Sequence, residues 1–261
     1  MNSSGDSFSI ETLQQNLHRI RDRIAQAAAK SNRSPDAVAM IAVTKYVGVD
    51  EIKALIDMGV TNIGESRVQE AEEKFKTLLS ANPQVGSRHD PYSINWHMIG
   101  HLQTNKAAKA AQIFHTVHSI DSVRIAETLN TELARTGASA MPVLLHQVLL
   151  EVNVQQDHKK HGLEPKISDI VALLKLCSEY DRMTVVGLMA MAPHAQQPEA
   201  TSRRVFRQLN DLLQEANERR AYRLPLTELS MGMTQDYAIA VEEGATMVRI
   251  GSALFQRGPT T

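Results

Sequence analysis

Lys45 stands two residues beyond a run of six apolar residues, Val38 to Val43. A lysine partly withdrawn from water loses proton affinity, and its free amine then adds to a carbonyl carbon as a Schiff base. Two later segments are of types that hold anions. Ser230-Met231-Gly232-Met233-Thr234 and Gly251-Ser252 set hydroxyls and glycine backbone just ahead of expected helices. Backbone N–H groups at a helix start bind phosphate. Either segment alone also reads as a plain turn with a hydroxyl cap. Arg249 lies between Val248 and Ile250. A guanidinium inside an apolar strand is costly unless paired, so it needs a partner such as Glu65 or Glu151, or a bound group.

These residues are useful only if the fold gathers them. Ile10, Leu13, Leu17, Ile20 and Ile24 recur at three and four residues, which predicts a helix with Ser9 as its cap. It precedes any strand and is expected to cover one end of the fold. An alternation follows. Strands are predicted at 38–43, 60–63, 94–99, 114–117, 143–152, 183–188, 226–229 and 246–250. Between them helices open at Asp50, Val68, Asn105, Asp121, Pro165, Pro198 and Gln235, and a short one follows Ser252. The strand runs are continuously apolar, as in sheets covered on both faces. Eight such units fit a closed (β/α)8 (TIM) barrel, which needs roughly 250 residues, better than an open sheet. The expectation is a flexible segment at 1–9 and one barrel domain over 10–261. Gly59 and Gly244 each stop a helix before a strand, a repeated turn. Residues 80–93 read as the longest exposed loop.

Barrel sites lie at the C-terminal ends of the strands, and phosphates bind after strands seven and eight. Lys45 ends strand one, and the two hydroxyl-glycine segments follow strands seven and eight. A lysine facing a phosphate cradle points to a phosphorylated aldehyde, of which pyridoxal 5′-phosphate (PLP) is the commonest cofactor. Arg249 would then meet the ring nitrogen and, as a cation, hold it unprotonated. His97 would contact the ring or satisfy hydrogen bonds at its strand end. Met189, Met191, Met231 and Met233 read as packing, and His158 to His161 as a solvated loop.

Composition narrows the partners. Lys plus Arg number 28 against 29 Asp plus Glu, for a net charge of -1. That gives no electrostatic reason to expect nucleic acid or an anionic membrane. No stretch approaches the ~18 apolar residues of a membrane helix, and the polar N-terminus is not a secretory signal. A cytoplasmic protein without a metal site is expected. The single cysteine, Cys177, reads as a buried helix thiol.

The chain resembles the PLP homeostasis protein family, also called YggS/PROSC. The matching stretches include Ala42-Val43-Thr44-Lys45, Ile63-Gly64-Glu65 and the long run from Trp96 to Lys106. They continue through Glu151-Val152-Asn153, Lys160-His161-Gly162, Gly187-Leu188-Met189, Ser230-Met231-Gly232-Met233 and Val248-Arg249-Ile250-Gly251. The resemblance implies a fold-type III PLP barrel related to the N-terminal domain of alanine racemase. It implies that Lys45 carries the cofactor as a Schiff base. Phosphate contacts would come from Ser230, Gly251 and Ser252, and a ring-nitrogen contact from Arg249, with His97, Met231 and Gly232 also at the cofactor. It implies a protein that buffers PLP and hands it to apo PLP-dependent enzymes, affecting vitamin B6 and amino-acid balance, and that acts as a monomer. Ser66 departs from the family's usual asparagine, Thr234 from its serine and Gln256 from its glycine.

Two other readings compete. A minimal PLP racemase would need an acid/base group on each face of the bound substrate. Lys45 serves one, whereas racemases use a tyrosine of a second domain for the other, and no length remains here for that domain. A sugar-phosphate isomerase would use Lys45 with no cofactor and would be colourless.

Overall fold

The computed structural model describes residues 9–81, 94–136, 146–155, 161–193 and 198–256. Eight parallel strands close on themselves in sequence order. They are β1 (Ala39–Val43), β2 (Asn62–Glu65), β3 (Asn95–Met98), β4 (Thr116–Ile120), β5 (His146–Glu151), β6 (Met183–Met189), β7 (Glu228–Met233) and β8 (Met247–Ile250). The helices are α1 (Ile10–Lys30), α2 (Val49–Asp57), α3 (Val68–Ala81), α4 (Ala107–Ile113), α5 (Val123–Thr136), α6 (Ile167–Ser178), α7 (Pro198–Glu218), α8 (Tyr237–Glu242) and α9 (Ser252–Phe255). The expected (β/α)8 architecture is therefore present. The free segment expected at 1–9 lies outside the described residues apart from Ser9. So do nearly all of the 80–93 loop, positions 143–145 of the fifth predicted strand, and His158 to Lys160.

Helix α1 begins as its sequence suggests, with the Ser9 hydroxyl accepting from the Thr12 N–H. Leu13, Leu17, Ile20 and Ile24 are buried along one face, at roughly 1.5–3 kcal/mol each. They do not cap an end of the barrel. They pack α1 against α8 and α9, because α9 is only four residues long and leaves the flank of the last unit open. Asn16 completes the join by donating to the carbonyls of Leu254 and Gln256.

The repeated helix stops are Schellman turns. After α2, Val60 N–H donates to Leu55 O and Gly59 N–H to Ile56 O, with Gly59 at φ 78°. After α8, Ala245 and Gly244 make the same pair of bonds to Ala240 and Val241. Two more such turns carry no glycine. Asn32 (φ 55°) ends α1 and Arg220 (φ 50°) ends α7.

Most boundaries moved by one to three residues. Two shifts matter. Strand β4 reaches Ile120, past the predicted 117, and takes His118 into the barrel. Strand β7 runs 228–233, past the predicted 229, so Ser230 to Met233 belong to the strand and not to the loop behind it. The Cys177 thiol is fully buried in α6, and burial pushes it up to about 12.

Candidate functional site

In a barrel, residues paired across parallel strands share a face, and faces alternate along each strand. Ile41 pairs with Arg249, Val43 with Gly64, and Gly64 with His97. Glu151 pairs with Met189 and Met189 with Ser230. The side chains of Arg249 and Ser230 meet inside the barrel, so these positions form its inner face. Lys45 is two residues beyond Val43 and continues that face at the C-terminal mouth. It is half-buried, and its Nζ lies 4.8 Å from the centre of the Tyr46 ring.

Thr44 points the other way and anchors the strand end that carries Lys45. Its hydroxyl donates to Glu65 Oε1 at 2.6 Å, and its carbonyl accepts from Lys74 Nζ at 2.8 Å. Lys74 also holds Glu65 Oε1 at 2.8 Å. Glu65 is fully buried, a position that a carboxylate tolerates only with such a partner. Glu65 is thus committed to the outer side of the strand and does not neutralise Arg249.

Arg249 finds its partners in the backbone. NH1 donates to Ser230 O at 2.8 Å and to Ser230 Oγ at 2.5 Å, and NH2 donates to Ala190 O at 3.0 Å. Burial lowers its pKa to about 10, against the opposing pull of Glu151 and Asp236, so it stays cationic at neutral pH. Ser230 Oγ lies 2.8 Å from His118 Nδ1, His118 Nε2 lies 3.0 Å from His97 Nδ1, and His97 Nε2 lies 3.1 Å from Asn62 Oδ1. The direction of this chain follows from its ends. Arginine only donates and the Asn62 oxygen only accepts. Ser230 therefore donates to His118, His118 to His97, and His97 to Asn62, with each imidazole neutral and carrying its proton on Nε2. Burial agrees. It lowers His97 to about 3, helped by the charge of His115, and holds His118 well below its ordinary value, helped by His97 and Arg249. The same desolvation raises the carboxyl of Glu151, with Asp121 adding to it and Arg249 opposing, to about 7.

The phosphate end expected from sequence is assembled in part. Strand β8 hydrogen-bonds β1, so Gly251 and Ser252 stand beside Lys45 and not across the mouth from it. A Cβ on Gly251 would lie 3.4 Å from Val43 Cβ. The exposed Ser252 hydroxyl donates to Thr234 Oγ1 at 3.2 Å, which also accepts from Ala253 N–H at 3.4 Å. Gly232 has φ 90°, and a Cβ there would come within 2.5 Å of Ala240 Cβ. Its missing side chain lets α8 lie close to β7. Met231 is fully buried, as are Met189 and, by its hydroxyl network, Ser230, whereas Met191 is exposed.

These groups fit a phosphorylated aldehyde. Lys45 offers an amine for the carbonyl end, Ser252 and Thr234 offer hydroxyls beside it, and Arg249 places a buried cation below. Ser230 is brought to the same end of the barrel, yet its Oγ and carbonyl are both engaged by Arg249. Sequence reasoning missed His118 and Asn62, which join His97 and Ser230 into one chain. The signal was present in His115-Thr116-Val117-His118-Ser119, where polar residues stand on both sides of Val117 inside a strand run.

The class follows from the barrel and this mouth. The chain belongs to the family of the alanine racemase N-terminal domain, whose model matches residues 15–259. Within that family it is similar to the pyridoxal phosphate homeostasis proteins. That of Vibrio cholerae is 34% identical over 247 residues, covering 94% of this chain and 96% of the relative. That of Aquifex aeolicus is 32% identical over 239 residues, covering 92% and 95%. PipY of Synechococcus elongatus, solved with PLP bound, is 32% identical with a TM-score of 0.72, covering 91% of this chain and 100% of PipY. Alanine racemase of Clostridium difficile shares the fold alone, at 13% identity and TM-score 0.64, with the match covering 58% of that chain. No described helix is long and apolar enough to cross a membrane.

Proposed function

We propose that this protein holds pyridoxal 5′-phosphate covalently on Lys45 and serves PLP homeostasis without turning over a substrate. The observation that carries this is the register of the barrel mouth. It sets the strand end that carries Lys45 next to the strand end that carries Gly251, where Ser252 and Thr234 pair their hydroxyls. When bound, the cofactor supplies an aldehyde carbon and a phosphate. Lys45 binds the first, and Gly251 and Ser252 hold the second with Ser230 beneath. Arg249 keeps a positive charge under the ring position, which disfavours a protonated ring nitrogen and so weakens electron withdrawal. His97, Met231 and Gly232 shape the inner and β7 sides of the mouth. The same reading makes residues 10–261 one domain of a cytoplasmic monomer, with apo PLP-dependent enzymes as recipients.

Among the described residues, Tyr46, Tyr222 and Tyr237 support a carrier over a racemase. Racemisation needs a proton donor on the face away from Lys45. Tyr46 lies on the lysine's own side, under its amine. Tyr222 accepts from Val185 N–H in the core, and Tyr237 is buried behind β7. A racemase assay with turnover above that of free PLP would reverse this part of the reading.

The deciding experiment is borohydride reduction of the PLP-loaded protein followed by peptide mass mapping. One phosphopyridoxyl group on the peptide bearing Lys45 is expected. No adduct, or adducts scattered over surface lysines, would remove PLP and favour a sugar-phosphate barrel.

A further inference from the structure

We propose that His101, Asp121 and His161 form a binding site for a divalent transition-metal cation of the zinc class, at the rim of the barrel and separate from Lys45. The three come from three successive units. His101 follows β3, Asp121 follows β4 directly, and His161 lies between β5 and α6. Nothing in their sequence spacing joins them, yet one donor atom from each lies within 4.8 Å of the others.

The distances suit a metal better than they suit hydrogen bonds. Asp121 Oδ2 is 3.4 Å from His101 Nδ1 and 3.9 Å from His161 Nδ1. A good N–H···O bond is about 2.9 Å, so neither contact is a strong one. Donors around a tetrahedral ion with bonds of about 2.0–2.1 Å sit roughly 3.3 Å apart, close to the first distance and within a small side-chain rotation of the second. The two imidazoles stack with centroids 3.6 Å apart and 10° between planes. That arrangement turns both Nδ1 atoms toward the same carboxylate oxygen. An ion must lie near both ring planes, so one imidazole has to tilt out of this stack to bind it, and the 59% exposure of the His161 side chain leaves it free to do so.

The ligand chemistry sets the class of ion. Two imidazole nitrogens and one carboxylate suit zinc and its first-row neighbours, while magnesium and calcium prefer oxygen ligands throughout. Access is open, since the His101 and His161 side chains are 34% and 59% exposed and that of Asp121 is 12% exposed. His101 also lines a cavity of about 400 Å³ with Ser66, Arg67 and Lys106. The cavity leaves room for water or an anion as a further ligand. An ion here would tie three loops of the mouth into one unit.

Equilibrium dialysis of the PLP-loaded protein against zinc, with elemental analysis, tests this. One zinc per chain is expected, removable by a chelator, with affinity at least tenfold weaker in His101→Ala, His161→Ala and Asp121→Asn. Cobalt(II) should give visible d–d absorption in the unaltered protein and lose it in each variant. His161 is exposed, so His161→Ala keeps the test valid if Asp121→Asn fails to fold. Zinc uptake below one per chain, or uptake equal in the His161→Ala protein, overturns the site. Metal held by bound PLP or by other histidines would survive these substitutions, and so gives the second of those results. PLP content and the borohydride adduct are read on the same samples, so failure of this site and failure of the Lys45 reading are distinguishable.

Discussion

His118 Nδ1 and Ser230 Oγ meet at 2.8 Å inside the barrel, joining β4 to β7 through two buried side chains. The contact requires an unprotonated Nδ1, because the serine proton is the one shared. Protonating His118 would set a donor against Ser230, whose oxygen already accepts from Arg249.

That requirement makes stability depend on pH. An unfolded histidine takes up a proton below about 6.5, while folded His97 resists until about 3 and folded His118 is also held low. Their contribution is therefore full above 6.5 and is lost as the pH falls, at about 1.4 kcal/mol per pH unit for each. Glu151 works in the opposite sense. Its folded value of about 7 exceeds the ordinary 4.5, so its contribution is full below 4.5 and is lost as the pH rises through 7. Two losses exceed one gain, and we expect a net fall of about 2 kcal/mol from about pH 7 to about pH 5. Urea titrations across that range check it, and Glu151→Gln should steepen the fall. A flat profile would mean the histidines are not buried as neutral rings.

Lys45→Ala should abolish the borohydride-stable adduct while leaving weaker, phosphate-driven binding of PLP. The side chain is half-buried and is not part of the inner chain, so stability should change by less than about 1 kcal/mol. Mass mapping and equilibrium dialysis measure the two parts. An adduct retained at full yield in the variant would assign the bond to another lysine.

Arg249→Met should be the most damaging of the single changes at the mouth. It strips a donor from Ala190 O, at about 1–3 kcal/mol for that buried group, and one of two from Ser230 O, which keeps the Ala190 N–H at 3.2 Å. It also removes the cation that restrains Glu151, so the carboxyl should titrate higher still. Denaturant unfolding reads the first effect, and NMR titration of Glu151 reads the second. Arg249→Lys should recover little, because one ammonium does not match the fork that serves both carbonyls.

Arg220→Gly should stabilise the protein. Arg220 holds a left-handed φ of 50° at the end of α7 and is exposed. Glycine takes that conformation without the Cβ clash, worth about 1 kcal/mol, or roughly 2–4 °C in Tm for a chain of this size. Calorimetry checks it, and an unchanged Tm would show that the turn is not strained.

The architecture could be read from sequence because its signals are local. Each apolar run was long enough to be a covered strand, Ser9 marked a helix start, and Gly59 and Gly244 marked stops. The inner face was harder to read because its partners are distant. His97 finds His118 across 21 positions, and Ser230 lies 112 beyond His118. A strand read as ending at Val117 left His118 outside. Gly232 resembled a turn residue, yet tertiary packing of α8 is what its bare backbone serves. Asn32 and Arg220 hid two helix stops, since neither residue type announces a left-handed turn as glycine does.

The bonds from Asn16 to Leu254 and Gln256 also set an order of events during synthesis. The two ends of each bond are separated by 238 and 240 residues. At ~5–20 residues per second, the first helix would wait roughly 12 to 48 s after Asn16 is made before its carbonyl partners exist. Until then its apolar stripe of Leu13, Leu17, Ile20 and Ile24 has no α8 or α9 to cover it. A nascent chain of this protein therefore carries an uncovered greasy helix until α8 and α9 have been made, a natural handle for a chaperone.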